Sequence, residues 1–281
     1  MLEPLGTGIF QNVSQPVFGK QDLGLSPLGA MDLFSYETGN ALLGNRCDAP
    51  ALEMIFPPSF KFTENGFFVL TGAHRESMLI HPCGKREIRH GRVYRANTDD
   101  ILKFGEKCYG LRTYLCYKPM DSDQENDVEG RERGLFTNVS SWTDREGKIR
   151  VLPGPEWTYL KNQDDFFTQS FTISPDSNAM GLRLVGNGKP LALTMDSDMI
   201  SEAVSDGTVQ LTPKGPVVLL RHRQTLGGYP RIFNVISADI DRLAQYAPGE
   251  ILRFRAVSDK DAMDCLRQRK NDLDKIKNRY L

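Results

Sequence analysis

Residues 222–232, HRQTLGGYPRI, bring the amide of Gln224, the hydroxyl of Thr225, the paired Gly227 and Gly228 and the phenol of Tyr229 into six consecutive positions, with Arg221 and Arg223 just ahead of them. Amide, hydroxyl and phenol groups can donate hydrogen bonds to negative charge developing on a substrate oxygen. Glycines let a ligand come close to main-chain N–H groups, and guanidinium groups can hold a carboxylate or phosphate. A glycine hairpin between two strands explains the glycines equally well, so both readings stand at this level.

Two further clusters are of the same kind. In SPDSNAMGLRL, Ser174, Asp176 and Ser177 surround a turn ahead of an apolar run that carries Arg183. They form either a polar wall or a turn held by its own side chains. In GAMD, Asp32 is either a ligand-binding carboxylate or the cap of a following helix. His74, His81, Cys83 and His90 gather in HRESMLIHPCGKREIRH, and His81 and Cys83 would share one face of an extended strand. Their irregular spacing and Pro82 do not match a zinc pattern, and no metal is expected.

The chain shows no GxxxxGK[ST] phosphate loop, GxGxxG fingerprint, GxSxG elbow or HExxH pair. Thirty-five Lys and Arg against thirty-six Asp and Glu, with no basic block, argue against nucleic acid or an anionic membrane as partner. Five cysteines without a CxxC pair suggest reduced thiols. With no basic-then-apolar leader and no apolar run of about 18 residues, a cytoplasmic location is expected.

The elements that must position these residues are mostly strands. Short apolar runs punctuated by Gly, Pro, Asn and Asp, as in FKFTENGFFVLTG and GPVVLLRHRQTLGGYPRIFNVIS, give a mainly β reading. Residues 30–43 and the tail from about 259 read as helices. In the tail, Ala262, Leu266, Leu273, Ile276 and Tyr280 fall on one face, and Ser258 with Asp261 resembles a capping box. SPLGAMDL at Ser26 recurs as SPDSNAMGL at Ser174, VLTGAH at Val69 as VLLRHR at Val218, and DDILKF at Asp99 as GEILRF at Gly249. The nearly constant offset implies two related β domains, placed at 1–147 and 148–281, with the acidic stretch 121–134 as the connecting loop.

SPLGAMDLFSYETGNALLGN, ALEM, VLTGA, VLPGPEW, SPDSNAMGLRL, LLRHRQTLGGYPRI and VISADIDRLAQYAPGEILRF, over about 26–75 and 150–254, together resemble one family. It includes the 5-oxoprolinase C subunit, allophanate hydrolase subunit 2, the Kip-type antagonist and the carboxyltransferase half of urea carboxylase. The resemblance implies two tandem cyclophilin-like β-barrel domains with short helices and a C-terminal helix. It also implies a subunit-B-like partner and an A subunit. The implied activity is ATP-dependent opening of a cyclic or simple amide, 5-oxoproline to glutamate. ATP is expected to serve the assembled complex, with no cofactor bound by this chain alone.

Matched to the family's QTTGGYP block, Gln224, Thr225 and Tyr229 are candidate catalytic residues together with Asp176. Gly227, Gly228, Asp32, Ser174 and Arg183 are candidate substrate-binding residues. The chain departs from the family pattern at Ala179, where an Arg is usual, at Arg221 and His222, where Ala-Asp is usual, and at Leu226, where Thr is usual. Those departures keep in view a catalytically weakened protein that antagonises a subunit-B-like partner. A third reading from the resemblance is a biotin-dependent carboxyltransferase acting on urea or a related amide.

Overall fold

A computed structural model describes residues 2–120, 147–194 and 199–280. The acidic stretch expected to be a connecting loop lies outside the described residues. The described chain falls into two units, one within 1–15, 32–136 and 271–281, the other within 16–31 and 137–270. Residues 16–31 and 271–281 each group with the unit that a single cut near Lys148 would not give them.

The first unit holds an eight-stranded sheet made of β1 (Leu2–Leu5), β2 (Ile9–Val13), β3 (Ala51–Phe56), β4 (Ser59–Phe62), β5 (Gly66–His81), β6 (Gly84–Glu87), β7 (Val93–Ala96) and β8 (Ile101–Pro119), with helix α1 (Leu33–Leu43). Its path runs β1-β4-β8-β3-β2, and β5 pairs with β6, β7 and β8. Two of its strands are far longer than the short apolar runs suggest, β5 with 16 residues and β8 with 19. They stay paired because the register shifts between Gly72 and Ser77, where bulges bend the ribbon. The irregular HRESMLIH pattern is the sequence trace of that bend. Phe60, Phe62, Phe68, Leu102 and Leu115 fill the core beneath it.

The second unit holds β9 (Ile149–Pro153), helix α2 (Gln163–Thr168), β10 (Phe171–Ile173), β11 (Gly181–Gly186), β12 (Glu202–Ala203), β13 (Thr208–Thr212), β14 (Gly215–Leu219), β15 (Leu226–Gly227), β16 (Arg231–Val235), helix α3 (Ile240–Leu243), β17 (Ile251–Leu252) and β18 (Phe254–Ala256). Eight of the strands follow the order β17-β10-β11-β14-β13-β16-β9-β18, and β12 with β15 forms a separate two-stranded sheet. Leu182 and Leu184 of β11, Val209 and Leu211 of β13 and Val218 of β14 point inward. There the Phe166 ring stacks on Phe233 at 4.4 Å and on Phe254 at 4.8 Å. Burying each such aromatic contributes about 1.5–3 kcal/mol. The period-two alternation leaves Arg183 and Val185 of β11 on the outer face.

Helix α4 (Asp259–Tyr280) closes the described chain. Its start is the capping box read from sequence: the Ser258 hydroxyl accepts from the Asp261 N–H at 3.1 Å and donates to the Asp261 carboxylate at 2.7 Å. Leu273 and Ile276 are buried, while Ala262 and Leu266 are half-buried. The architecture is mainly β with short helices and a C-terminal helix, as expected. Among the described residues no helix is long and apolar enough to cross a membrane.

Candidate functional site

The candidate site lies on the outer face of the second unit's sheet. Arg183 on β11 stands opposite Val217 on β14, and Gln210 and Thr212 of β13 continue the row. Two cavities lie along this face. The larger, about 520 Å³, is lined by Ser174, Asp176, Arg183, Thr212 and Lys214 among others. The smaller, about 160 Å³, is lined by Arg183, Gln210, Thr212, Gln224 and Tyr229 among others. Arg183, Thr212 and Val217 belong to both linings, so the two form one cleft. The larger cavity falls in the range of small-molecule sites.

The segment 224–229 is not a glycine hairpin. Leu226 and Gly227 pair with Glu202 and Ala203 as β15 on β12, and the strip lies over Gln210, whose side-chain amide donates to the Tyr229 carbonyl at 3.2 Å. A Cβ on Gly227 would come within 2.4 Å of Gln210 Nε2. The missing side chain at 227 therefore admits the protein's own glutamine, where the sequence suggested a ligand. Gly228 is held by Met199, whose N–H donates to the Gly228 carbonyl at 3.0 Å. Thr225 is fixed through its carbonyl, which accepts from Val204 N–H, and it lines neither cavity. Of that block, Gln224 and Tyr229 reach the cleft.

Arg221 and Arg223 are buried and engaged, so they do not hold a carboxylate or phosphate ligand. Arg221 donates to Asp241 at 2.8 Å, to Asp206 at 3.3 Å and to the Met31 carbonyl at 3.1 Å, while Arg223 donates to Asp206 at 3.0 Å. Asp241 also accepts from Arg269. Burial pushes the Asp241 carboxyl upward, but the Arg269 and Arg221 guanidiniums override it and hold the group below the usual carboxylate range. A buried carboxylate persists only when it is paired in this way. His222 sits within 3.1 Å of the Gly29 carbonyl.

The SPDS segment is a self-bonded turn that also borders the cleft. The Ser174 hydroxyl accepts from Asp176 N–H at 3.2 Å, and the Ser177 hydroxyl accepts from Arg183 N–H at 2.9 Å. These bonds fix the approach to β11. The Asp176 carboxylate and the Arg183 guanidinium take no part in them and face the cavity. Lys214 stands on the turn between β13 and β14, which Thr212 braces by donating its hydroxyl to the Gly215 carbonyl at 2.8 Å and accepting from Lys214 N–H at 3.2 Å. Gly215 has φ +114°, and a Cβ there would meet the Leu184 carbonyl at 2.8 Å, so the turn packs tightly onto β11.

Asp32 belongs to the first unit and serves as a helix cap. Its carboxylate accepts from Ser35 N–H at 2.9 Å and from the Ser35 hydroxyl at 2.6 Å, while its own N–H donates to the Tyr114 hydroxyl at 2.7 Å. That hydroxyl in turn donates to Glu53 at 2.6 Å, with Arg112 at 3.4 Å from the same carboxylate. The histidine cluster does not converge. His81 ends β5 and accepts from Cys83 N–H across a turn, while His74 and His90 face each other with ring centroids 4.7 Å apart. Among the described residues no three His, Cys, Asp or Glu side chains group as metal ligands.

Gln210, Thr212 and Lys214 were missed in the sequence. The available signal was the alternation of Thr208, Gln210 and Thr212 with Val209 and Leu211 before the TPKG turn, which sets three polar side chains on one face of a strand.

The chain is similar to several known proteins. The profile of the carboxyltransferase domain, subdomains A and B, matches residues 23–119 and 119–256. The C subunit of the Haemophilus influenzae 5-oxoprolinase is 31% identical, over 92% of each chain. That of Escherichia coli is 30% identical, over 94% of this chain and 93% of its own. The crystal structure of the Kluyveromyces lactis urea carboxylase superposes with a TM-score of 0.80 at 20% identity, over 98% of this chain and 29% of that one.

Proposed function

The chain belongs to the carboxyltransferase-domain family, and on that premise we propose that it is the subunit-C-like component of a 5-oxoprolinase-type complex. In this reading it acts with subunit-B-like and subunit-A-like proteins in the cytoplasm to open a small cyclic amide, 5-oxoproline, to glutamate at the expense of ATP. The observation that carries the reading is the cleft, in which Gln224 and Tyr229 line one end together with Arg183, a residue that also lines the end that holds the Asp176 carboxylate. Correspondence over 92% or more of the chain with two relatives named as C subunits of 5-oxoprolinase supports the same choice. The urea carboxylase is more than three times longer than the part of it this chain spans.

Opening an amide places negative charge on its carbonyl oxygen. The side-chain amide of Gln224 and the phenol of Tyr229 are donors fixed by a strip of chain that is itself pinned to Gln210, so they need little rearrangement as that charge develops. Asp176, whose carboxylate is not used by its own turn, is a group in the cleft able to accept a proton from an attacking atom and return it to the leaving nitrogen. The chain has no phosphate loop of its own, so ATP would be handled by the assembly.

The departures at 179, 222 and 226 would favour a catalytically weakened antagonist if they had emptied the cleft of charge. They did not, since Arg183 and Lys214 remain there. The test is to purify the chain with its subunit-A-like and subunit-B-like partners and measure 5-oxoproline-dependent ATP hydrolysis. Turnover that Gln224→Ala and Tyr229→Phe strongly lower, with the assembly still intact, is expected. No turnover by an assembly that becomes active when a conventional C subunit replaces this chain would sink the reading.

A further inference from the structure

The larger end of the cleft holds two cations and one anion: Arg183, Lys214 and Asp176. No hydrogen bond or ion pair engages the side chains of Arg183 and Lys214 among the described residues, whereas Arg221, Arg223 and Arg231 are bound to carboxylates. Of the two hydroxyls nearby, Thr212 is used both as acceptor and as donor, on Lys214 N–H and the Gly215 carbonyl, and Ser174 as acceptor, on Asp176 N–H. The main recognition chemistry at this end is therefore charge. Both cations sit on braced backbone, since Arg183 N–H is bonded by Ser177 and the Lys214 turn by Thr212.

We propose that Arg183 and Lys214 form an anion subsite for a single carboxylate carried by the substrate, leaving its amide to the end of the cleft lined by Gln224 and Tyr229. The assignment rests on the reading that the cleft takes an amide. It adds a specificity rule, that an amide without a carboxylate is refused. With Asp176 in the same wall the end carries one net positive charge, which suits one carboxylate, whereas a phosphate chain would meet Asp176 as a like charge. Arg183 spans both cavities and so orients the substrate, while Lys214 lies at the far end and supplies a point charge.

The test measures binding of 5-oxoproline and of 2-pyrrolidinone, the same ring without the carboxylate, to the full chain and to its assembled complex. The proteins compared are the natural chain, Lys214→Met, Lys214→Arg and Arg183→Met. Removing either cation is expected to weaken 5-oxoproline roughly 10- to 100-fold, the usual effect of losing a charged hydrogen bond. Lys214→Arg should restore most of it. In the complex Lys214→Met should raise KM with kcat little changed. The natural chain should bind 2-pyrrolidinone weakly, and no variant should alter that.

Equal affinity for the two rings, or variants that bind 5-oxoproline like the natural chain, overturns the proposal, as does binding by neither chain nor complex. Displacement of 5-oxoproline by inorganic phosphate at tenfold lower concentration assigns the subsite to phosphate and overturns it too. Turnover with an unchanged KM in Lys214→Met and Arg183→Met removes the subsite and leaves the proposed function standing. Charge-dependent binding without turnover does the reverse. Both side chains are exposed to the cleft, and unchanged melting temperatures check that the variants fold.

Discussion

The two Ala-Met-x-Leu segments of the duplicated chain, residues 30–33 and 179–182, start different structures. In the first, x is Asp32, whose carboxylate receives the Ser35 N–H and begins helix α1, while Met31 is buried in the core of the second unit. In the second, x is Gly181, which begins strand β11 where a Cβ would meet the Val218 carbonyl at 2.9 Å, and Met180 is 46% exposed. A cap residue stops an extended chain by satisfying a helical N–H, and a glycine lets two strands close up. The outcomes differ in what is left over. The first unit joins Asp32, Tyr114, Glu53 and Arg112 in one buried network, so its polar groups hold structure. The second leaves Asp176, Arg183 and Lys214 on an open sheet face.

That contrast is tested most strongly at Gln224. If the open face of the second unit does the chemistry, Gln224→Ala should lower turnover by the assembled complex about 100- to 1,000-fold, the usual effect of removing one oxyanion donor. The melting temperature should stay unchanged, since the Gln224 side chain borders a cavity. A loss of melting temperature that tracks the loss of turnover would make Gln224 a structural residue and erase the difference between the units.

The next test separates the units by pH. Burial, aided by the neighbouring His74, pushes His90 of the first unit down from 6.5 to about 4. The unfolded chain therefore takes up a proton at this residue as pH falls below 6.5, while the folded chain does so only near 4. Stability is lost across that window as pH drops, by about 3 kcal/mol in all. Asp241 of the second unit, held below its ordinary 3.8, gives up its contribution only at lower pH still. Urea unfolding at pH 7.5 and 4.5 should thus show an acid loss that His90→Phe largely removes. An unaltered acid limb would mean that His90 titrates in the folded state as it does in the unfolded one.

These differences were only partly legible in the sequence. The β class, helix α1 and the Ser258–Asp261 capping box depend on neighbours a few residues apart, and such patterns are written locally. Arg221 and Arg223 sat beside Gln224 and Thr225 as if to serve a ligand, but their partners Asp206, Asp241 and the Met31 carbonyl come from elsewhere in the chain. Pairing over such distances has no period to betray it. The glycines at 227 and 228 signalled a close approach correctly, but not that Gln210 was the group approaching. Lys214 looked like an ordinary turn residue, and only the pairing of β11 with β14 brings its turn beside Arg183.

A smaller effect is expected from exchanging the two starting residues. Gly181→Ala places a methyl group against the Val218 carbonyl. Backbone must shift to relieve it, at a cost of about 1–3 kcal/mol. Because β11 carries Arg183, the shift should also weaken 5-oxoproline binding in proportion. Measured together, the melting temperature and the binding constant tell whether the strand and the cleft move as one. A full loss of stability with unchanged binding would separate them.

The mildest test falls on Asp32, and it decides whether the first unit's carboxylate is purely a cap. Asp32→Ala removes the acceptor for Ser35 N–H and for the Ser35 hydroxyl, both buried, and should cost about 1–2 kcal/mol. Asp32→Asn keeps a side-chain oxygen for that N–H, and the Tyr114 hydroxyl still receives the residue's own N–H, so most of the loss should return. Turnover by both variants should match the natural complex at any temperature where they remain folded. If Asp32→Asn melts normally but loses turnover, the charge at 32 matters for chemistry as well as for the helix, and the division between a structural first unit and an open, chemically equipped second one fails at the residue where the two copies part.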